Sequence, residues 1–403
     1  MAEHDQEKAA RRSTSIQVGL LTLGIALVGS NSLVLSPILT DVAADFDARA
    51  ADVARAIAAY GGATALSAFA LARHIDRVGP RLVLLLGMVV MMLAIGASAF
   101  AQSWVALAVA QGMAGLGAGI VLPATYHLAA TVAPKGAEAR TLGRVLAGWS
   151  LSLVLGIPAA ALLTDLAGWR SVFLVLVGVG FVALIGFVRL LPRDRPASAP
   201  AREGPLAPLK IPTVPILLAT CFAFMIGFYG VYPFVGDHLR VSHGVAAAPA
   251  GLFVLAYGIG FGLASLGDGL IDRFGLRRMF PLALLTVALI YLAMIPAAEA
   301  FWSVIVLSAI WGFVNHFGLN ALVLLLSRAD PARRGAILGL NSAVTYAASF
   351  IGAAVFGEIY ADIGFAAICA LAGLALAIGA VLVHVGLRGR LGPAKAPAAR
   401  EST

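Results

Sequence analysis

Asp-Arg-x-Gly-x-Arg occurs twice in this sequence, as Asp76 to Arg81 and again as Asp272 to Arg277. A glycine between charged residues suits a tight turn, because it accepts positive φ without a Cβ clash. Gly79 and Gly275 hold that place. Arg77, Arg81, Arg273 and Arg277 can hold such a turn at an anionic surface. Asp76 and Asp272 can pair with an arginine or sit at a helix N-terminus, where unpaired N–H groups favour an anion. Two roles stay open for these eight residues: orienting the neighbouring helices, or forming a latch that makes and breaks.

The other reactive side chains lie inside long apolar runs, where a polar group is costly unless paired or facing a cavity. The densest cluster is "WGFVNHFGLNALV". At helical spacing Trp311 and Asn315 share one face, and His316 and Asn320 share the adjacent one. His316 is the one deep titratable group in this reading. It can carry a proton near neutral pH, touch substrate, or simply pack between helices. Asn31, Tyr229 and Tyr232 are further cavity candidates, although aromatic residues also anchor helices at membrane interfaces. Asp41, Asp165 and Glu358 fall near segment ends, so a carboxylate at mid-depth is missing. No His/Asp/Glu grouping suggests a metal, and no nucleophile–base set suggests an enzyme. A phosphate-cradling Gly-Lys-Ser/Thr motif is absent too, which argues against ATP-driven transport by this chain. No cofactor is expected.

These residues need elements to position them. Of 403 residues, 61% are hydrophobic and 12% charged. A soluble domain carries nearer a quarter charged, so lipid is the expected solvent. Twelve apolar segments are long enough to span it as helices: 16–40, 53–73, 81–101, 104–127, 141–164, 170–190, 213–235, 246–268, 279–298, 301–326, 335–358 and 363–386. With both termini cytoplasmic, all but Arg49, Arg55, Arg170 and Arg240 of the 28 Lys and Arg fall on the cytoplasmic side. That is the bias expected of a multi-pass protein. The net charge of +8 is then a membrane-surface charge and not a nucleic-acid footprint. Cys221 and Cys369 lie within apolar runs, so no disulfide is expected.

Asp76, Arg77, Gly79 and Arg81 meet Asp272, Arg273, Gly275 and Arg277 after a shift of 196 residues, and Gly143, Gly156 and Gly168 meet Gly339, Gly352 and Gly364. A duplicated six-helix unit follows. Its parts are a tail 1–15, a bundle 16–190, a connector 191–212 rich in Pro and Ala, a bundle 213–386 and a tail 387–403. Two parallel repeats of this kind are a transporter architecture.

Twelve spans in two halves, with the charged turn after spans 2 and 8, resemble the major facilitator superfamily. Ala72 and Pro80 depart from its pattern. The fifth segment resembles the drug and sugar efflux (drug:proton antiporter, multidrug) branch. Gly148, Ser152, Gly156 and Ala160 are spaced four apart beside Pro158, and Gly168, Trp169, Arg170 and Phe173 follow. A plain packing ridge explains the small face equally well. The branch's Arg-x-x-Gln-Gly reads Ala108-x-x-Gln111-Gly112 here, so that arginine takes no part. The resemblance implies an all-α fold of two pseudo-symmetric six-helix bundles. It places Asp76 against the start of segment 11, near Arg333 and Gly335. It lines a central cavity with segments 1, 4, 7 and 10, so that Asn31, Tyr229, Tyr232, Trp311, Asn315 and Asn320 would meet a neutral or amphipathic small molecule. The expected function is alternating-access export in exchange for protons, by a monomer in a bacterial inner membrane. Uptake of a small metabolite is the alternative, and a receptor or structural role the non-transport one.

Overall fold

A computed structural model gives residues 2–134, 136–192, 204, 206–267, 269–330 and 333–387, with the backbone alone at 2–13, 71–77, 138–139 and 271–272. Among these residues there is no strand, and twelve helices are long and apolar enough to cross a membrane. Spans 1 to 6 are Thr14–Leu33, Ala50–Ala70, Pro80–Ala99, Trp104–Val132, Arg140–Ala167 and Trp169–Leu190. Spans 7 to 12 are Val214–His243, Ala247–Gly267, Leu276–Ala297, Phe301–Ala329, Arg334–Asp362 and Phe365–Gly386. The side of the bundle that carries the 191–212 connector is called the linker side below, and the opposite one the distal side.

The twelve expected segments are all present, and span 7 outruns its expected end furthest. Pro233 and Asp237 look like terminators, since proline cannot donate to the helix ladder. The helix nevertheless continues to His243. Ser36 donates its hydroxyl to the carbonyls of Tyr232 (2.9 Å) and Pro233 (3.4 Å), and Asp237 finds hydroxyl partners of its own. Span 1 is broken at Val34 and resumes as a helix over Leu35–Asp45. The cause is Pro37, which has no N–H for the Leu33 carbonyl and crowds it.

Helix packing repeats along the chain. In the first six spans the neighbours include 1–5, 1–6, 2–4, 3–4 and 3–6; in the last six they include 7–11, 7–12, 8–10, 9–10 and 9–12. Each pair recurs six spans later. The contacts that join the halves obey the same exchange: span 2 packs on 11, span 5 on 8, and the Leu35–Asp45 helix on span 7. The repeated turns agree as well, with φ of 102° at Gly79 and 78° at Gly275. A side chain there would be strained, which explains why glycine occupies both. Spans 3, 6, 9 and 12 are helices of 20 to 22 residues that turn residues such as Leu93, Val182, Leu289 and Val381 outward.

Candidate functional site

Spans 8 and 10 touch backbone to backbone. A Cβ on Gly312 would strike the carbonyl of Tyr257, and one on Gly260 the carbonyl of Ala309. Small residues allow this approach in a membrane protein, and it brings the Tyr257 ring against span 10. Asn315 donates its amide N–H to the Tyr257 hydroxyl at 2.6 Å. Trp311, one turn away, lies 5.1 Å from Tyr257, 5.6 Å from Phe228, 5.8 Å from Tyr232 and 5.2 Å from Tyr291 between ring centroids. These separations suit edge-to-face and tilted aromatic packing. The outcome is an aromatic box built by spans 7, 8, 9 and 10.

The box is buried and polar at the same time. Trp311, Tyr232 and Tyr291 are fully buried, and Asn315 and Tyr257 nearly so. The Tyr232 hydroxyl, the Asn315 side-chain oxygen, the Tyr291 hydroxyl and the Trp311 indole N–H have no hydrogen-bond partner; the last two adjoin each other without bonding geometry. Buried polar atoms normally find partners; here the rings pack closely on one another and leave these four without one. No carboxylate, guanidinium or ammonium belongs to the box.

The other candidates disperse around it. Tyr229 stacks edge-on to Phe228 at 5.1 Å and has Tyr346 of span 11 and Tyr60 of span 2 as electrostatic neighbours. It therefore faces the seam between the halves. Asn31 is buried in the first half, where it donates to Gln111 at 3.0 Å while Gln111 donates to Ser98 at 3.0 Å. His316 is half-buried, with its ring edge-on to Phe261 (5.0 Å) and Phe317 (5.6 Å). Phe261 in turn stacks on Tyr257 at 6.2 Å, which leaves His316 one ring away from the box. Asn320 is half-buried further toward the linker side. Sequence reasoning passed over Tyr257 and Tyr291, because a tyrosine in an apolar run reads equally well as an interfacial anchor.

Span 5 shows its small face plainly. Cβ atoms on Gly148 and Gly156 would strike the Thr22 carbonyl and the Ser30 hydroxyl of span 1. Ser152 and Ala160 are buried on the same helix. Pro158 cannot donate to the Val154 carbonyl, and the turn Ser152–Gly156 widens to π-helix just before it. Leu153 and Val154 from this turn rest on Gly258 of span 8, in the other half.

On the linker side, Arg81 donates to the Val188 carbonyl at 2.5 Å, tying span 3 to the end of span 6. Arg273 lies over the Phe274 ring at 5.8 Å, and Arg277 is exposed. The side chains of Asp76, Arg77 and Asp272 lie outside the described residues, as does most of the 191–212 connector. The expected Asp76 contact at span 11 is therefore outside them too; Arg333 pairs with Asp330 at 3.7 Å.

On the distal side all four basic residues that break the charge bias are neutralised. Arg49 and Arg55 hold Glu358 of span 11 at 3.2 and 2.6 Å. They also reach Asp52 at 3.3 and 3.5 Å. Arg170 holds Asp45 at 2.7 Å, and Arg240 forms a bidentate pair with Asp41. Asp165 caps the N-terminus of span 8, accepting from the N–H of Ala247 (2.9 Å) and Ala248 (2.7 Å). Three ion pairs join the halves on the distal side, Arg49–Glu358, Arg55–Glu358 and Arg240–Asp41, and the Asp165 cap joins them there too. The distal end is closed.

Residues 21–261 and 217–402 match the Major Facilitator Superfamily. The chain is similar to the uncharacterized MFS-type transporter YwfA of Bacillus subtilis (strain 168), with 28% identity over 90% of each chain. It is also similar to the inner membrane transport protein YdhP of Escherichia coli (strain K12), with 24% identity over 93% of this chain and 97% of the relative.

Proposed function

We propose that this chain, which belongs to the Major Facilitator Superfamily and is a secondary transporter of the multi-pass membrane type, exports a small uncharged or amphipathic organic molecule in exchange for protons. The observation that carries the reading is the aromatic box around Trp311. Four rings supply flat apolar surface, and Asn315, Tyr232 and the Trp311 N–H supply neutral hydrogen-bonding groups. A charged substrate would be left unpaired in such a box, at considerable cost.

Transport would proceed by rocking residues 16–190 against 213–386, with both termini in the cytoplasm. In this reading the distal contacts would seal the side that faces away from the cytoplasm. The small face of span 5 supports export, since it resembles that of efflux proteins. His316 is the proposed intramembrane proton carrier, one ring from the box.

The test is flux in sealed vesicles across a panel of neutral aromatic and amphipathic compounds, with the pH gradient imposed in each direction. Export requires substrate to move against proton entry. Accumulation with proton entry would replace the reading by uptake. His316→Gln is expected to change the pH dependence of flux, and an unchanged profile removes His316 from coupling.

A further inference from the structure

Between the linker-side ends of spans 9 and 12 runs a groove of about 640 Å³. Its rim is basic, with Arg277 and Arg278 from the first turn of span 9 and His384 from the last turn of span 12. Its walls are apolar: Leu282, Leu285 and Val381, all exposed on the outside of the bundle. Arg278, Leu282 and Leu285 follow one another at four and three residues, so they share one face of span 9. At the helical rise that face descends about 10 Å from charge to apolar wall. Among the described residues, no carboxylate lines the groove.

Basic residues at this end of a span are ordinary in a membrane protein. Comparing the two halves shows what is particular here. The shift of 196 residues pairs Arg81 with Arg277, Leu82 with Arg278 and Val188 with His384. In the first half Arg81 is spent on the Val188 carbonyl, which joins span 3 to span 6. In the second half, among the described residues, neither Arg277 nor Arg278 has a hydrogen-bond or ion-pair partner. Both also stand at a helix N-terminus, where the peptide dipoles disfavour a cation. The second half thus places basic groups at two positions that are apolar in the first, and sets them above an apolar groove. The neighbouring groove between spans 7 and 12, of about 430 Å³, has residues such as Ile216 and Leu382 in its walls and no charged group. Any acyl chain can cover that one.

We propose that the groove between spans 9 and 12 holds one anionic phospholipid of the linker-side leaflet. Arg277 and Arg278 grip its phosphate through charge-assisted hydrogen bonds. One acyl chain lies along Leu282, Leu285 and Val381. A zwitterionic lipid fits the same walls, but its headgroup carries no net charge and gains less from two arginines. The bound lipid bridges spans 9 and 12, as the Arg81 hydrogen bond bridges spans 3 and 6. The inference rests on the membrane setting alone, so failure of the export reading leaves it standing.

The experiment titrates the purified full chain in detergent with phosphatidylglycerol, or with phosphatidylcholine of the same acyl chains, and counts bound lipids by native mass spectrometry. The first phosphatidylglycerol should bind about tenfold or more tightly than phosphatidylcholine. Arg277→Gln combined with Arg278→Gln should remove that preference. Leu285→Trp, which obstructs the wall and leaves the charge, should weaken binding of the same first lipid. Arg144→Gln combined with Arg328→Gln removes equal charge from exposed linker-side positions elsewhere and should leave the preference intact. Inorganic phosphate in large excess should not displace the lipid. Equal binding of the two lipids, a preference that survives loss of Arg277 and Arg278, or one that disappears with Arg144 and Arg328 would each overturn the proposal. So would unchanged binding in Leu285→Trp, or displacement by phosphate.

Discussion

Asn315 spends its N–H on Tyr257 and keeps its oxygen unpaired. Asn315→Ala would strand the buried Tyr257 hydroxyl and remove that acceptor together. Transport should fall about tenfold or more, with the amount of protein in the membrane unchanged on a blot. Trp311→Phe retains a ring and removes the N–H together with part of the indole's bulk. A selective loss for substrates that bear a hydrogen-bond acceptor would assign that N–H to recognition. Trp311 and Asn315 were legible as a pair because they are four apart on one helix. Asp237 was not legible. Two residues past an apolar run, a carboxylate reads as the start of a loop, and the partners that bury it, Thr40 and Tyr360, are more than a hundred residues away in sequence. Asn31 shows the reverse: its polarity was legible, and its pairing with Gln111 was not.

Elements are where the sequence spoke most clearly. Their number followed from length and apolarity, and both repeated turns followed from one six-residue pattern. Gly275→Ala places a side chain at positive φ and should cost about 1–2 kcal/mol, read as a lower midpoint of thermal unfolding in detergent. The break at Val34 and the π-turn at Ser152–Gly156 were not legible, although the prolines that cause them were in view. A proline announces a missing hydrogen bond and leaves open how the helix absorbs it. Gly258→Leu tests the π-turn's seat on span 8. Its side chain would meet Leu153 and Val154 and should hold spans 5 and 8 apart, visible as increased labelling of a cysteine at Val154.

Across the whole molecule, contacts between the halves obey one exchange, span 2 with 11 and span 5 with 8. The distal charges reinforce that closure. Glu358→Gln would release Arg49 and Arg55 from span 11, and the distance between spin labels on Ala44→Cys and Glu299→Cys, distal positions in the two halves, should lengthen. Exposed ion pairs contribute little singly, so the shift should be small. The overall architecture was legible because duplication leaves a periodic trace in the sequence, whereas the closed distal end depends on contacts between residues far apart in it. Spans 3, 6, 9 and 12, with 20 to 22 residues, measure about 30–33 Å at the helical rise, close to the hydrocarbon depth of an ordinary bilayer. They recur at every third position, two to each half, and present their outer faces to acyl chains. The protein thus wears a belt of fixed height: membranes built from longer tails would have to thin around it, and shorter tails would make its helices tilt, so tail length should tune how fast it turns over even when headgroup and pH are held constant.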